Sequence, residues 1–170
     1  MNYRIIGAIC VVSACGSFGF LVAARYLQNI QLIRQLISAL DYMACELQYR
    51  GTALPALCRE AADQCYGRMK LLFSALSEEL ESQISPNVSC CMAVALEKCG
   101  EFPLMIQQMC QTLGRSLGRF DLPGQLEGLE IARKECRELL QKLLMNKENR
   151  IRSYQTLGLC AGAAIAILFV

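Results

Sequence analysis

The sequence predicts an all-α fold, a bundle of about six helices with an uncharged segment at each end of the chain. Apolar residues recur three and four positions apart along most of the chain, and this spacing places them on one face of a helix. The signals typical of strands, alternating apolar and polar runs and hairpin dipeptides, are missing from the sequence. A length of 170 residues suits one domain with a hydrophobic core.

The first element is an uncharged run of twenty residues, Ile5 to Ala24, with an arginine on each side. About 20 apolar residues cross a hydrocarbon core of roughly 30 Å, so residues 1–24 are predicted to form a transmembrane anchor. A cleaved signal peptide or a lipoprotein is the alternative, because Val12 to Cys15 resembles the box in which a cysteine is lipidated. The run continues nine residues beyond Cys15, which favours a retained anchor.

The middle of the chain, residues 25–156, is predicted to be a cytoplasmic helical bundle. An apolar stripe along residues 26–50 predicts the first helix, and Gly51 is expected to end it. Thr52 is expected to cap the second helix, with Pro55 in its first turn.

Glycine, proline and capping residues set the later boundaries. The second helix is expected to run to about Cys65, with a break near Gly67, and the third to cover Met69–Ser82 with Leu71, Leu72, Ala75, Leu76 and Leu80 facing inward. The fourth is expected to run from Pro86 and Asn87 to near Gly100, and the fifth from Pro103 to around Gly118. The last helix is expected to have Asp121 as its cap and Pro123 at its start. The last helix carries an apolar seam, so the first and last helices are expected to pair antiparallel as a stalk.

The C-terminal element is an uncharged run of fourteen residues, Leu157 to Val170. As a helix it rises about 21 Å, so residues 157–170 predict a short transmembrane segment, with a terminal helix buried in the domain as the alternative. Gly158 and Gly162 have the small-residue spacing that lets membrane helices pack closely. Lysine and arginine are more numerous on the inner flanks of the two runs, which places the central domain in the cytoplasm.

Composition excludes several functions. Histidine is absent and the net charge is only +2, with no basic block, so catalysis by histidine and nucleic-acid binding are not expected. The acidic cluster Glu78, Glu79 and Glu81 is typical of a solvated helix face. Eleven cysteines lack any C-x-x-C pair and are expected to be buried, reduced thiols, although a cysteine-based metal or redox protein stays an alternative. No catalytic residue, cofactor or metal ligand is predicted.

Two short patterns carry a resemblance to a known family. The first is Glu46-Leu47-Gln48-Tyr49 followed by Thr52-Ala53-Leu54-Pro55-Ala56-Leu57, and the second is Leu113-Gly114-Arg115-Ser116-Leu117-Gly118, then Asp121 and Gln125, and later Tyr154-Gln155-Thr156-Leu157-Gly158. In this order and spacing they resemble the stage III sporulation protein AB family of endospore-forming bacteria, over essentially the whole chain.

The resemblance implies more than the periodicity does. That family is similar to the cytoplasmic domain of the type II secretion F protein, the inner-membrane platform. By resemblance, the chain is a non-enzymatic scaffold on the mother-cell side, in the outer forespore membrane, within the complex that connects mother cell and forespore. The implied partners are the secretion-type ATPase, stage III sporulation protein AA, and other membrane subunits, with a homo-oligomer also open.

Position by position, the resemblance makes two sets of residues candidates for partner binding. They are Glu46, Tyr49, Leu54 and Pro55 in the first set, and Gly114, Leu117, Gly118, Asp121 and Gln125 in the second. Each also has a structural explanation. Glu46 can pair with Arg50 one helical turn away, and the second set can serve capping and close packing.

Overall fold

The computed structural model describes residues 2–82, 87–117, 121–146, 153, 156 and 160, with the backbone alone at residues 2–16, 18 and 19. Within these residues every regular element is an α-helix. The helices are α1 Asn2–Arg50, α2 Leu54–Asp63, α3 Gly67–Ser82, α4 Val88–Lys98, α5 Leu104–Leu117 and α6 Leu122–Met145. The predicted all-α class with about six helices is therefore confirmed.

The chain divides into two compact units. The terminal unit is Met1–Ile30 with Gln141–Val170, and the central unit is Gln31–Leu140. In the terminal unit the Tyr26 hydroxyl donates a hydrogen bond of 2.7 Å to the Leu143 carbonyl, so α1 contacts α6 there. In the central unit Asp41 of α1 accepts from Arg133 at 3.1 Å and from Arg137 at 3.2 Å, both in α6. Each unit thus has its own contact between the first and last helices.

Among the residues whose placement is described, none of the helices is both long enough and apolar enough to cross a membrane. The predicted C-terminal segment 157–170, including Gly158 and Gly162, lies outside the described residues except for Cys160. Most side chains of the predicted N-terminal anchor lie outside them as well. Both anchors remain predictions.

Most predicted helix ends are correct. Gly51 follows α1 with φ +61°, a left-handed conformation that glycine adopts without strain. Asn87 caps α4, and its side-chain oxygen accepts from the Ser89 amide at 3.0 Å. Asp121 does the same for α6, because its carboxylate accepts from the Gly124 amide at 3.1 Å.

Two local predictions are wrong, and the boundary between α2 and α3 is shifted by two residues. The cap position of α2 is Ala53 rather than Thr52, with no side-chain capping bond. The break between α2 and α3 lies just before Gly67, as predicted, although α2 ends at Asp63 and α3 begins at Gly67, each two residues earlier than expected. Leu71 is 60% exposed because it precedes buried Leu72, and adjacent residues of a helix face about 100° apart.

The core of the central unit draws on α1 to α6. Its largest fully buried side chains are Ile33, Leu36, Leu40, Met43, Leu57, Met69, Leu72, Phe73, Leu76, Met92, Ile106 and Leu113. Burying one such side chain stabilises a fold by about 1.5–3 kcal/mol, so this set is a large contribution to the stability of the central unit. The seam predicted on α6 is buried at Leu129, Ala132 and Cys136.

Successive helices of the central unit alternate in direction. The Ser77 hydroxyl late in α3 donates to the Pro55 carbonyl early in α2 at 2.9 Å. The Cys91 thiol early in α4 lies 3.9 Å from the Glu79 carbonyl late in α3. In the same way the start of α4 lies against the end of α5, and the start of α6 against the end of α5.

This alternation gives the central unit two ends. The Gly51 end holds the α1–α2 turn, the end of α3, the start of α4, the end of α5 and the start of α6. The Gly100 end holds the α2–α3 and α4–α5 turns, which are joined by a 2.9 Å hydrogen bond from the Arg68 guanidinium to the Glu101 carbonyl. Gln35 of α1 also lies at the Gly100 end, where its side-chain oxygen accepts from the Tyr66 amide at 3.0 Å.

Candidate functional site

The first candidate set begins with Glu46 in the last turns of α1. Its carboxylate lies 3.4 Å from the Arg50 guanidinium, one helical turn further on, which confirms the predicted pairing. The side chain of Glu46 is 14% exposed and that of Arg50 is 71% exposed. The Oε2 atom of Glu46 is buried and accepts no hydrogen bond from the described residues. The Glu46 carboxylate is therefore mostly buried, whereas the Arg50 guanidinium that pairs with it is exposed.

Beside Glu46, Tyr42 links α1 to α2. Its hydroxyl donates a 2.9 Å hydrogen bond to the Glu60 carboxylate. That hydrogen bond, followed by partial burial and by the charges of Glu46 and Glu60, raises the pKa of Tyr42 to about 12. Tyr42 therefore stays a neutral donor at physiological pH. No local pattern predicts this pair, because Tyr42 and Glu60 are eighteen residues apart.

The rest of the first set divides into exposed and supporting residues. Tyr49 is 78% exposed, the highest value of any large hydrophobic side chain in the described part of the chain. Leu54 and Pro55 are half-buried. Pro55 occupies the first turn of α2, and its carbonyl accepts the Ser77 hydroxyl. Leu54 and Pro55 thus seat the turn, and Tyr49 is open to a partner.

The second candidate set lies where α4, α5 and α6 meet. Gly114 of α5 is packed so closely that a Cβ added there would lie 3.0 Å from Met92 Cβ and 3.3 Å from Ser89 Cα. Leu117 is buried at 1% exposure. Asp121 is exposed and caps α6, and Gln125 is half-buried. Gly118 lies outside the described residues. Packing and capping therefore account for most of this set.

Gly128 belongs with this set, although sequence reasoning missed it. A Cβ added to Gly128 would overlap the Ser116 side chain of α5, so only glycine fits between the two helices. A glycine inside an otherwise helical pattern usually has a packing reason, so the position of Gly128 within a predicted helix could have indicated a close helix contact. Gly114 and Gly128 together let α4, α5 and α6 approach closely.

Both candidate sets lie at the Gly51 end of the central unit. The first set occupies the end of α1 and the start of α2, and the second occupies the end of α5 and the start of α6. Between them run the end of α3 and the start of α4, joined by the Pro55–Ser77 and Glu79–Cys91 contacts. Two patterns separated by about 60 residues are thus brought to one end of one unit.

Two of the three acidic residues singled out in α3 make ion pairs. Glu79 pairs with Lys98, and Glu81 pairs with Arg59. Both ion pairs join neighbouring helices, and in the described part of the chain these glutamates belong to no group of three or more side chains placed to hold a metal ion. They act as ordinary inter-helix ion pairs.

The cysteines are mostly chemically quiet. Burial raises the pKa of Cys58 and of Cys110 to about 12, and that of Cys65 to about 11. A protonated, buried thiol is a poor nucleophile and a poor metal ligand. Cys91 is buried whereas adjacent Cys90 is exposed. The described residues include no group of three or more histidine, cysteine, aspartate or glutamate side chains placed to hold a metal ion.

Comparison with known proteins identifies the family. The sequence pattern described as stage III sporulation protein AB matches residues 4–170. The chain belongs to the stage III sporulation protein AB family. The predicted family is thereby confirmed, and the chain is a member of a sporulation family whose description indicates no catalytic activity.

Two relatives illustrate the family. Stage III sporulation protein AB of Bacillus subtilis (strain 168) is 24% identical over 170 residues, which are 98% of this chain and 99% of the relative. A solved structure of stage III sporulation protein AB is similar to this chain with a TM-score of 0.64 and 21% identity, covering 72% of this chain and 98% of the solved one. At that identity the solved structure supports the helical fold of the family and nothing finer.

Proposed function

We propose that this protein is a non-enzymatic membrane platform that docks a secretion-type ATPase, stage III sporulation protein AA, within the complex linking mother cell and forespore. It would sit in the cell membrane on the mother-cell side, with segments 1–24 and 157–170 as anchors and the central domain in the cytoplasm. Other membrane subunits would contact the anchors. Membership of a sporulation family is the starting point for this proposal.

The observation that carries the proposal is the meeting of both family patterns at the Gly51 end. The uncharged runs connect to the central unit through residue 31 of α1 and residue 140 of α6. Helix α1 enters the central unit at the Gly100 end, because Gln35 of α1 contacts the α2–α3 turn there. The Gly51 end is therefore the end of the central unit that does not carry these chain connections.

The exposed chemistry of the Gly51 end suits protein binding. Tyr49 offers a large amphipathic ring at 78% exposure, and tyrosine is among the residues that contribute most to binding energy at interfaces. Glu46 lies one helical turn before Arg50 and its Oε2 atom accepts no hydrogen bond from the described residues, so this carboxylate is an acceptor that a basic side chain of a partner could use. Neither feature requires catalysis.

The test compares two exposed tyrosines at opposite ends of the central unit. Tyr49 and Tyr66 are 78% and 63% exposed, so either can be changed to alanine with little loss of packing. We expect Tyr49→Ala to weaken binding of the full-length, detergent-solubilised protein to purified stage III sporulation protein AA by about tenfold or more. Tyr66→Ala is the matched control and should bind like the wild type. Equal binding by wild type and both variants would contradict docking at this end.

The anchors are tested separately in intact sporulating cells. Cys90 is exposed at the start of α4, and a variant that keeps Cys90 as its single cysteine can report the side of the membrane. A membrane-impermeant thiol reagent should label this variant only after the membrane is opened. Labelling in intact cells would place the central domain on the other side and remove the platform facing a cytoplasmic ATPase.

A further inference from the structure

Helix α6 extends further than α1 at the Gly51 end of the central unit. Asp41 of α1 accepts from both Arg133 and Arg137 of α6, which fixes the register of these two helices. From Asp41, α1 continues for nine residues to its end at Arg50, a rise of about 14 Å. From the two arginines, α6 reaches back eleven and fifteen residues to Leu122, a rise of about 17 Å and about 23 Å. The first turn of α6 therefore extends about 3–9 Å beyond the last residue of α1.

The side of α6 that faces α1 is apolar up to its first turn. Leu122, Leu126 and Leu129 are four and three residues apart, and four more residues lead to Arg133, so all four lie on one side of the helix. Their exposure rises toward the start of α6, because Leu129 is 1% exposed, Leu126 is half-buried and Leu122 is 45% exposed. The core between α1 and α6 thus ends before Leu122. The Leu122 side chain, where α6 extends beyond α1, is here named the Leu122 ledge.

Helix formation does not account for a leucine at this position. Asp121 caps α6 by accepting from the Gly124 amide, so Leu122 is the first helical residue. The first turn of a helix favours acidic side chains and proline, because of the helix dipole and the amides that lack a partner within the helix. A half-exposed leucine gains neither full burial in the core nor an interaction with the helix terminus. Its side chain is available for a contact outside the chain.

The Leu122 ledge lies within reach of a partner that covers Tyr49. Both residues are at the Gly51 end, on two helices in contact, and the axes of packed helices are about 8–10 Å apart. A specific interface covers about 800 Å² on each partner, which is much wider than that separation. Asp121 and Gln125 of the second candidate set flank Leu122 in the sequence. A partner docked on Tyr49 would therefore meet the second set through Leu122.

We propose that Leu122 is a second binding residue for the secretion-type ATPase, and that it packs into an apolar pocket of the ATPase beside the contact made by Tyr49. This contact depends on the proposed function, because the same partner must dock at the Gly51 end. Leu122 belongs to neither candidate set, so the contact adds a residue that the family patterns did not indicate. Recognition at Leu122 is apolar, so the ATPase must present an uncharged surface to it.

Leu122→Asp tests the contact with little cost to folding. A carboxylate in the first turn of α6 suits the helix dipole, so the urea unfolding midpoint of this variant should stay close to that of the wild type. A partner packed on the ledge would have to bury the same carboxylate without a cation. Binding of the full-length, detergent-solubilised protein to purified stage III sporulation protein AA should therefore weaken by about tenfold or more. Leu122→Met keeps an apolar side chain of similar volume and should bind like the wild type.

Ile131→Asp is the matched control on the same helix. Ile131 is 50% exposed and lies nine residues after Leu122, which is about two and a half helical turns and places it on the opposite side of α6. This variant carries the same added charge and should bind like the wild type. Equal losses of binding for Leu122→Asp and Ile131→Asp would mean that negative charge on α6, rather than the ledge, weakens binding, and would contradict the contact.

The remaining outcomes separate this contact from docking itself. If Tyr49→Ala weakens binding but Leu122→Asp does not, the Leu122 contact is wrong and docking at the Gly51 end stands. If both variants bind like the wild type, docking at this end fails and the Leu122 contact fails with it. A loss of binding by Leu122→Asp together with a lower unfolding midpoint would assign Leu122 to folding, which also overturns the proposal.

Discussion

The two ends of the central unit are held together by different means. At the Gly51 end, Gly114 and Gly128 let three helices come so close that an added side chain would overlap Met92 or Ser116. At the Gly100 end, polar side chains bind the turn backbones instead: Gln35 accepts from the Tyr66 amide, and Arg68 donates to the Glu101 carbonyl. Close packing tolerates no added volume, whereas a partly exposed hydrogen bond can be replaced by water. The Gly51 end should therefore be the more rigid of the two.

The largest expected effect is a difference in thiol reactivity between the cysteines at the two ends of the central unit and the buried Cys110. Cys90 at the Gly51 end is exposed, Cys99 at the Gly100 end is half-buried, and Cys110 is fully buried. A pKa of about 12 leaves roughly one Cys110 thiol in 10⁴ ionised at pH 8, so Cys90 should label at least about 10³-fold faster. Time-resolved labelling followed by mass spectrometry measures this, with urea-unfolded protein as the control.

The same experiment compares the two ends through the order in which their cysteines are labelled. Burial raises the pKa of Cys99 although nearby Lys98 lowers it, so Cys99 should react between Cys90 and Cys110. Raising the pH increases the ionised fraction of a thiol whose pKa is raised, and Cys99 labelling should therefore accelerate between pH 7 and pH 9. Cys110 labelling as fast as Cys90 in folded protein would mean that the α5–α6 core opens readily.

Adding volume at the Gly51 end should give the largest loss of stability. Gly128→Val forces the α6 backbone away from Ser116, and overpacking of this kind lowers the free energy of unfolding by about 1–3 kcal/mol. Urea unfolding of the full-length protein in detergent, followed by circular dichroism, measures the change. In a double variant, Ser116→Gly removes the overlapping atoms, so the combined loss should be smaller than the sum of the single losses. Strict additivity would argue against the close contact.

Removing the buried hydrogen-bonding side chain at the Gly100 end should cost less. Gln35 is 7% exposed, and Gln35→Ala removes the acceptor of the Tyr66 amide. We expect a loss of about 1–1.5 kcal/mol, because the freed amide lies near solvent and water can replace part of the bond. Gln31→Ala, an exposed position one turn earlier in α1, is the control and should change little. A loss larger than that of Gly128→Val would reverse the comparison of the two ends.

The smallest effect is expected from the exposed link between the two turns. Arg68→Ala removes the hydrogen bond to the Glu101 carbonyl, which is open to water, and should lower the free energy of unfolding by about 0.5 kcal/mol. The same urea experiment applies, with Lys70→Ala as a neighbouring control. A loss above about 2 kcal/mol would show that this link is as important to the Gly100 end as packing is to the Gly51 end.

Local signals in the sequence predicted most of the secondary structure. Gly51, Asn87 and Asp121 mark helix ends because capping and left-handed turns depend on a few adjacent residues. The errors lie where local signals compete. The predicted cap of α2, Thr52, is one residue before the observed cap position, Ala53. Leu71 and Leu72 are adjacent on one helix, so they cannot both face inward. Periodicity alone does not choose between adjacent leucines.

The candidate site was only partly predictable. Tyr49 and Glu46 could be named from a short pattern, and so could Gly114, but the patterns did not indicate that both sets meet at one end. Gly128 was missed because glycine is required there by the close approach of Ser116, which lies on another helix. The Tyr42–Glu60 bond was missed for the same reason, since α1 must pack on α2 before the two groups can meet.

By itself, the sequence determined the helical class, most helix ends and membership of the stage III sporulation protein AB family, because these depend on local backbone preferences and on the order of short motifs. Only the tertiary structure decided that both motif sets share the Gly51 end, that the Glu46 side chain is mostly buried there, and that Tyr66 and Leu104 are exposed at the opposite end. These properties depend on helix packing between residues far apart in the chain, where steric fit and burial, rather than local propensity, determine the outcome.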